Sequence, residues 1–296
     1  MRWWQSYPRE VKIFLIASLI NSAGNALLWP LITMFVFKVL GRTVADAGLV
    51  ISYDMTFILN GLTAAVFAVF FWFYLNGVQI NQGEVHVEKK KNTSSLSVWT
   101  MLTRYKVYLF MGVGSLFLWL GNCIWNNGVS PYTISQGMPE WHYSILWTLN
   151  GIIIFAGQPF ISWIKRTLTG SAQSQMIASG IFYMLGYITI LAYPTYTSMV
   201  MAMVLITFGE MLISPAIPAF ISDHTGKGAP FYIGVVGGMG AAGRVVGPYT
   251  MGLLFDWNGL VPVAWLAVIT AAFSIFSFGI HAYVSRERER RLNYTM

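Results

Sequence analysis

Charge is scarce in this sequence. Asp, Glu, Lys and Arg make up 10% of its 296 residues, where a soluble globular domain carries roughly 25%. So few charged side chains cannot wet the whole surface of a globule, which excludes an ordinary soluble domain. Cysteine is scarcer still: Cys123 stands alone in an apolar segment, so no intrachain disulfide can form. Histidine is almost as rare. His86, His142 and His224 fall in polar connections and His281 at the end of an apolar run, with no metal-ligand spacing among them. Nothing inside an apolar run pairs a nucleophile with a base. The sequence therefore points to no cofactor, no metal and no enzyme.

Apolar residues are what it has. They make up 56% of the chain, with a mean hydropathy of +0.59. A helix needs about 20 apolar residues to cross a hydrocarbon core about 30 Å thick. Eight runs meet that length, at about 13 to 37, 56 to 76, 106 to 127, 143 to 164, 175 to 193, 198 to 221, 230 to 254 and 260 to 283. The expected fold is an all-α polytopic membrane protein with eight transmembrane helices, whose first partner is the lipid bilayer. The N-terminal run is too long for a signal peptide and lacks a small-residue cleavage site, so it reads as a retained span.

Lys and Arg set the orientation, because translocating them is costly. With the N-terminus inside, 15 of the 18 fall in cytoplasmic segments, among them Lys89 to Lys91, Lys165 and Arg166. Only Lys38 and Arg42 lie outside, and Arg244 is within a span. Both termini are expected in the cytoplasm and the protein in the cell membrane. The net charge of +7 is then topology rather than a nucleic-acid-binding surface.

The chain repeats itself. Asn21, Asn25 and Pro30 recur as Asn122, Asn126 and Pro131, each 101 residues on. A second pair, Ser52-Tyr53-Asp54 and Leu254-Phe255-Asp256, is offset by 202 residues between its aspartates. If both belong to one duplicated unit, the first copy is short by 101 residues, missing between Asn21 and Asp54. The longest polar stretch, 77–104, separates two spans from six and reads as a cytoplasmic linker. Residues 1–76 form a truncated N-terminal bundle, 105–284 a six-helix bundle and 285–296 a charged cytoplasmic tail.

Ionisable residues inside spans are expensive and tend to mark function. Glu210 lies near the centre of the sixth run and Arg244 near the centre of the seventh, at similar depth. A carboxyl held in low dielectric can accept a proton near neutral pH. Glu210 is thus a candidate proton or cation site, with Arg244 its modulator or a substrate contact. The bland alternative is a buried pair tying two helices together. Asn21 with Asn25, and Asn122 with Asn126, are spaced i, i+4 and share a helix face. Asn25 and Asn126 read as cavity lining, and Asn21 and Asn122 as interhelical glue. Pro30 and Pro131 remove backbone hydrogen bonds and should bend their helices, and Pro215 and Pro248 are gating or packing candidates. Gly238-Met-Gly240-Ala-Ala-Gly243 matches a dinucleotide fingerprint, but that motif carries its meaning only between a strand and a helix. Inside a span its glycines read as small faces for close packing or gating.

Gly209-Glu210 followed by Pro215, Asp223-His-Thr-Gly226, Gly243-Arg244 with Gly247-Pro248, and Gly252-Leu-Leu-Phe-Asp256 resemble the tenth and eleventh helices of bacterial drug:proton antiporters of the major facilitator superfamily. Asn150 and Gly157-Gln-Pro159 before Lys165-Arg166 are similar to its eighth helix and the turn that follows. The resemblance implies two six-helix bundles that rock about a midplane site. Here the second to fifth helices of the first bundle are absent, and 47–54 looks like the seam. It further implies proton-coupled export of an amphiphilic, cationic, drug-like small molecule, with a homo-oligomer as the form in which so short a chain would work. The alternative is a non-transporting or regulatory membrane protein derived from such a transporter.

Overall fold

The computed structural model describes residues 107–139 and 141–294, together with Thr43. The runs at 13 to 37 and 56 to 76, the seam, the linker, Asn21 and Asn25 lie outside the described residues. The described chain is entirely helical. In order, α1 is Val107–Asn122, α2 Ser130–Ser135, α3 Trp141–Ala156, α4 Gln158–Thr167, α5 Ala172–Ala192, α6 Tyr196–Thr225, α7 Ala229–Asn258 and α8 Leu260–Tyr294.

Five of these helical stretches are long and apolar enough to cross a membrane: Val107–Ser135, Ala172–Ala192, Tyr196–Thr225, Ala229–Asn258 and Leu260–Glu287. The run expected as one span at 143 to 164 departs from that pattern. It is two helices, α3 and α4, bent by 62° at Gly157. Gln158 opens α4 with Pro159 in its first turn, where a missing N–H costs nothing, and Lys165 and Arg166 sit in its last turn beside the free carbonyls. Counted as one broken span, the pair raises the number of described spans to six.

Local chemistry fixes the ends. Ser171 and Thr195 cap α5 and α6, their hydroxyls accepting from the backbone N–H of Ser174 and Ser198. Gly259, at φ +68°, turns α7 into α8 through a conformation that a side chain would resist. Pro131 acts differently from a simple kink. A π-helical turn, Trp125–Val129, absorbs the register change just before it, and the chain continues through α2 as one span.

Around the bundle, α1 packs on α7 and α8, α5 packs on α6 and α8, and α3 packs on α6. A large buried cluster runs through it, including Trp125, Tyr143, Tyr183, Tyr187 and Phe278, and a smaller one joins Ile161 and Ile164 of α4 to Met211 and Leu212 of α6. Since lipid is as apolar as leucine, close fit and hydrogen bonds hold such helices together. Ser274 Oγ donates to the Gly114 carbonyl at 2.9 Å, tying α8 to α1. On the outer surface α8 carries Trp265, Ile269, Phe273 and Phe276, all exposed, as a helix facing acyl chains would.

Candidate functional site

α6 and α7 each run 30 residues with proline inside: Pro215 and Pro218 in α6, Pro248 in α7. Part of their exposed sides differs from the lipid-like face of α8. On α6, Ser214, Pro215 and Pro218 are open, and on α7, Gly234, Gly238 and Ala241 are. These positions are small or polar, whereas further along α7 the exposed residues Val245, Val246, Tyr249, Leu253 and Trp257 are large and apolar. Glu210 lies half-buried one turn before Ser214, and Arg244 is exposed on α7.

Glu210 has a polar neighbour on α3. Asn150 is within side-chain hydrogen-bonding reach of its carboxylate and also donates from Nδ2 to Thr207 Oγ1 at 2.9 Å. Thr207, fully buried one turn before Glu210, passes the bond on to the Met203 carbonyl at 2.7 Å. A chain of hydrogen bonds thus fixes α3 against the segment of α6 that carries the acid. Ser214 Oγ donates to the Glu210 carbonyl at 2.8 Å, one turn back on the same helix.

Arg244 takes another partner. Its guanidinium carbon stands 3.6 Å from the centroid of the Trp119 ring on α1. The simple buried ion pair with Glu210 is not formed, and the two groups interact only through space. The reason is packing: α7 lies along α1 far more than along α6. Cys123, next to this contact, donates its thiol to the Trp119 carbonyl at 3.4 Å.

The glycines of α7 divide by face. A Cβ on Gly243 would strike the Leu116 carbonyl, one on Gly240 would come within 2.9 Å of the Trp119 ring, and one on Gly247 within 2.6 Å of Cys123 Sγ. These three let α7 lie against α1. Gly234 and Gly238 meet nothing within 4 Å, so the glycine-rich stretch has one packed face and one open one.

The asparagines of the described repeat copy separate likewise. Asn126, in the π-helical turn, accepts a hydrogen bond at 2.8 Å from Tyr143 of α3, which also donates to the Trp125 carbonyl at 3.0 Å. Its side chain is engaged in joining α3 to α1. Asn122 is half-buried at the end of α1. Asn127, not singled out from the sequence, donates to the Cys123 carbonyl at 3.2 Å while its own Oδ1 is buried without a partner. Trp119, Thr207, Tyr183 and Asn150 complete the surroundings of the two charged residues. Only Asn150 carried a signal in the sequence, through its resemblance to the eighth helix of the antiporters.

Over 225 residues, 76% of its length, the chain is 28% identical to an uncharacterized MFS-type transporter, YttB, of Bacillus subtilis (strain 168). The similarity is to a transporter, not to an enzyme. The match covers 55% of that relative, so the chain spans about half the length of the curated protein it resembles. No family model matches the sequence. With five to six described helices fit to cross a bilayer, the chain has the make-up of a multi-spanning helical membrane protein.

Proposed function

We propose that this chain is a secondary active transporter of the major facilitator type, exporting amphiphilic, drug-like small molecules in exchange for protons. The observation that carries the reading is Glu210: an acid in the middle of an apolar helix, beside small and polar positions of α6, with Asn150 in hydrogen-bonding reach and Arg244 in electrostatic reach. An acid in that setting is retained at a cost in insertion energy, which favours a functional role. Proton uptake and release at Glu210 would alternate with substrate occupancy of the open face, and Arg244 on Trp119 would shape its positive side. The bundle over 105–284 would work against residues 1–76 or against a second copy.

Lipophilic-cation efflux from cells tests this, with and without a collapsed proton gradient, beside Glu210→Gln at matched membrane expression. Gradient-dependent efflux that the variant loses supports the proposal. A second reading has its own support: the match covers about half of the relative, and the Asn21-to-Asn122 and Asp54-to-Asp256 offsets of 101 and 202 residues differ by a factor of two. On that reading the chain is a non-transporting or regulatory membrane protein. Well-inserted protein without gradient-dependent efflux would decide for it.

A further inference from the structure

One face of α5 carries Ser179, Tyr183 and Tyr187, spaced i, i+4, i+8. Their relative exposures are 0%, 0% and 1%, and the Oγ of Ser179 and both phenol oxygens are buried without a hydrogen-bond partner. Buried polar groups are nearly always satisfied, by protein or by ordered water. Three orphans on one face of one helix form a line, not an isolated lapse. Ser179 also has a simple alternative that it does not use: a buried serine in a helix can bond back to its own backbone, as the hydroxyl of Thr207 does.

The line is placed between two landmarks. At one end, Gly209 lets α6 close on α5, where an added Cβ would stand 2.8 Å from the Tyr183 ring and 3.0 Å from the Ser179 carbonyl. That puts the tyrosine beside the residue preceding Glu210, and Tyr183 is within electrostatic reach of both Glu210 and Arg244. At the other end, Gly121 lets α1 close on Tyr187, whose hydroxyl would stand 3.3 Å from an added Cβ there. Tyr187 in turn is in reach of Tyr183, Cys123 and Glu210. The two rings lie 6.0 Å apart, tilted by 60°.

We propose that the Ser179, Tyr183 and Tyr187 face of α5 holds a file of water that links Glu210 to the Gly121 to Cys123 end of α1 and conducts protons along it. A buried water typically makes about three hydrogen bonds to groups that would otherwise be unsatisfied, which is what three orphan hydroxyls on one helix face offer. The transfer balances at every step. Each water or phenol takes a proton from the neighbour behind it and gives its own to the neighbour ahead, ending as it began. At the last step the Glu210 carboxylate gains an O–H bond, and no heavy-atom bond forms or breaks. The path lies behind α6, away from the open surface of α6 and α7, so protons and substrate reach Glu210 from different sides.

The direction of this traffic rests on the proton-coupled reading of Glu210; the presence of water does not. Radiolytic footprinting of the purified full chain tests the water, because hydroxyl radicals form where water sits. The internal control is Tyr143, also 0% exposed but with its hydroxyl bonded to Trp125 and Asn126. Expected is labelling of Tyr183 and Tyr187 at rates nearer those of exposed Tyr193 and Tyr283 than of Tyr143. Rates as low as Tyr143 overturn the proposal whether or not the chain transports. The conducting role is read by proton uptake into proteoliposomes driven by a lipophilic cation gradient, comparing wild type with the Tyr183→Phe/Tyr187→Phe variant. Expected is a fall of about tenfold or more in uptake with the lipophilic cation still bound as tightly. Uptake equal to wild type removes the conducting role. A wild type that labels but moves no protons leaves the water and overturns the transport reading instead.

Discussion

The guanidinium carbon of Arg244 stands over the indole of Trp119, 3.6 Å from the ring centroid, and the group is not paired with the carboxylate of Glu210. A cation over an aromatic face keeps its charge while shedding part of its water, an arrangement worth about 0.5 to 2 kcal/mol. It also leaves Glu210 without a fixed counter-charge. On the proton-coupled reading proposed above, that matters because a locked ion pair would hold the acid in one state.

The first prediction concerns that contact. Trp119→Leu should lower stability by about 1 kcal/mol, which for a chain of this size is a fall of roughly 2 to 4 °C in the thermal midpoint of detergent-solubilised protein. In an Arg244→Gln background the same change should cost much less, because the partner is already gone. Equal costs in the two backgrounds would show that Trp119 matters only as bulk.

A second prediction separates two glycines five residues apart on α7. Gly243→Ala pushes a methyl group into the Leu116 carbonyl, and Gly238→Ala meets nothing within 4 Å. Overpacking typically costs about 1 to 3 kcal/mol, and alanine for glycine in an open helix position gains up to about 1 kcal/mol. Gly243→Ala should therefore yield less monodisperse protein with a lower midpoint, and Gly238→Ala should equal or exceed the parent. Fluorescence-detected size exclusion with a thermal ramp reads both. Two variants of equal stability would contradict the packing of α7 on α1.

How far the sequence could reach is clear from these same residues. Hydropathy located the long helices from 107 onward, since about 20 apolar residues in a row leave few alternatives. It could not place the break at Gly157, because α3 and α4 form one unbroken apolar run and the bend comes from a single glycine followed by Pro159. Rarity marked Glu210 and Arg244, since charge inside a span is conspicuous. Their partners were hidden for the opposite reason: Trp119 and Tyr183 are unremarkable in a chain with 12 tryptophans and 15 tyrosines, and only packing of α7 on α1 and α5 on α6 singles them out. The fingerprint-like glycines were legible as small residues, but which face was packed depended on the neighbour chosen.

A third prediction follows from Tyr143. Its hydroxyl donates to both Asn126 Oδ1 and the Trp125 carbonyl while fully buried. Tyr143→Phe keeps the ring and removes the donor, leaving two acceptors short at the π-helical turn. The expected cost is about 1 to 3 kcal/mol, and hydrogen exchange at 125–129 should accelerate. Asn126→Leu should weaken the same turn less, because the Trp125 carbonyl keeps its donor. The reverse order would mean that Asn126 has work beyond joining α3 to α1.

The last prediction takes the link between α3 and α6. Asn150 and Thr207 form an interhelical hydrogen bond one turn from Glu210, and such bonds within membranes are worth about 0.6 kcal/mol on average and up to about 1.7. A cycle of Asn150→Leu, Thr207→Val and the double variant should return a coupling in that range from unfolding midpoints. So small a loss leaves the bundle folded, which makes the functional readout informative. If Asn150 serves to position Glu210, Asn150→Leu should lose gradient-dependent efflux out of proportion to its stability. Thr207→Val should keep most of it, since Asn150 remains free to reach the carboxylate. Equal losses in the two single variants would place the effect in the packing of α3 on α6 rather than in the positioning of Glu210.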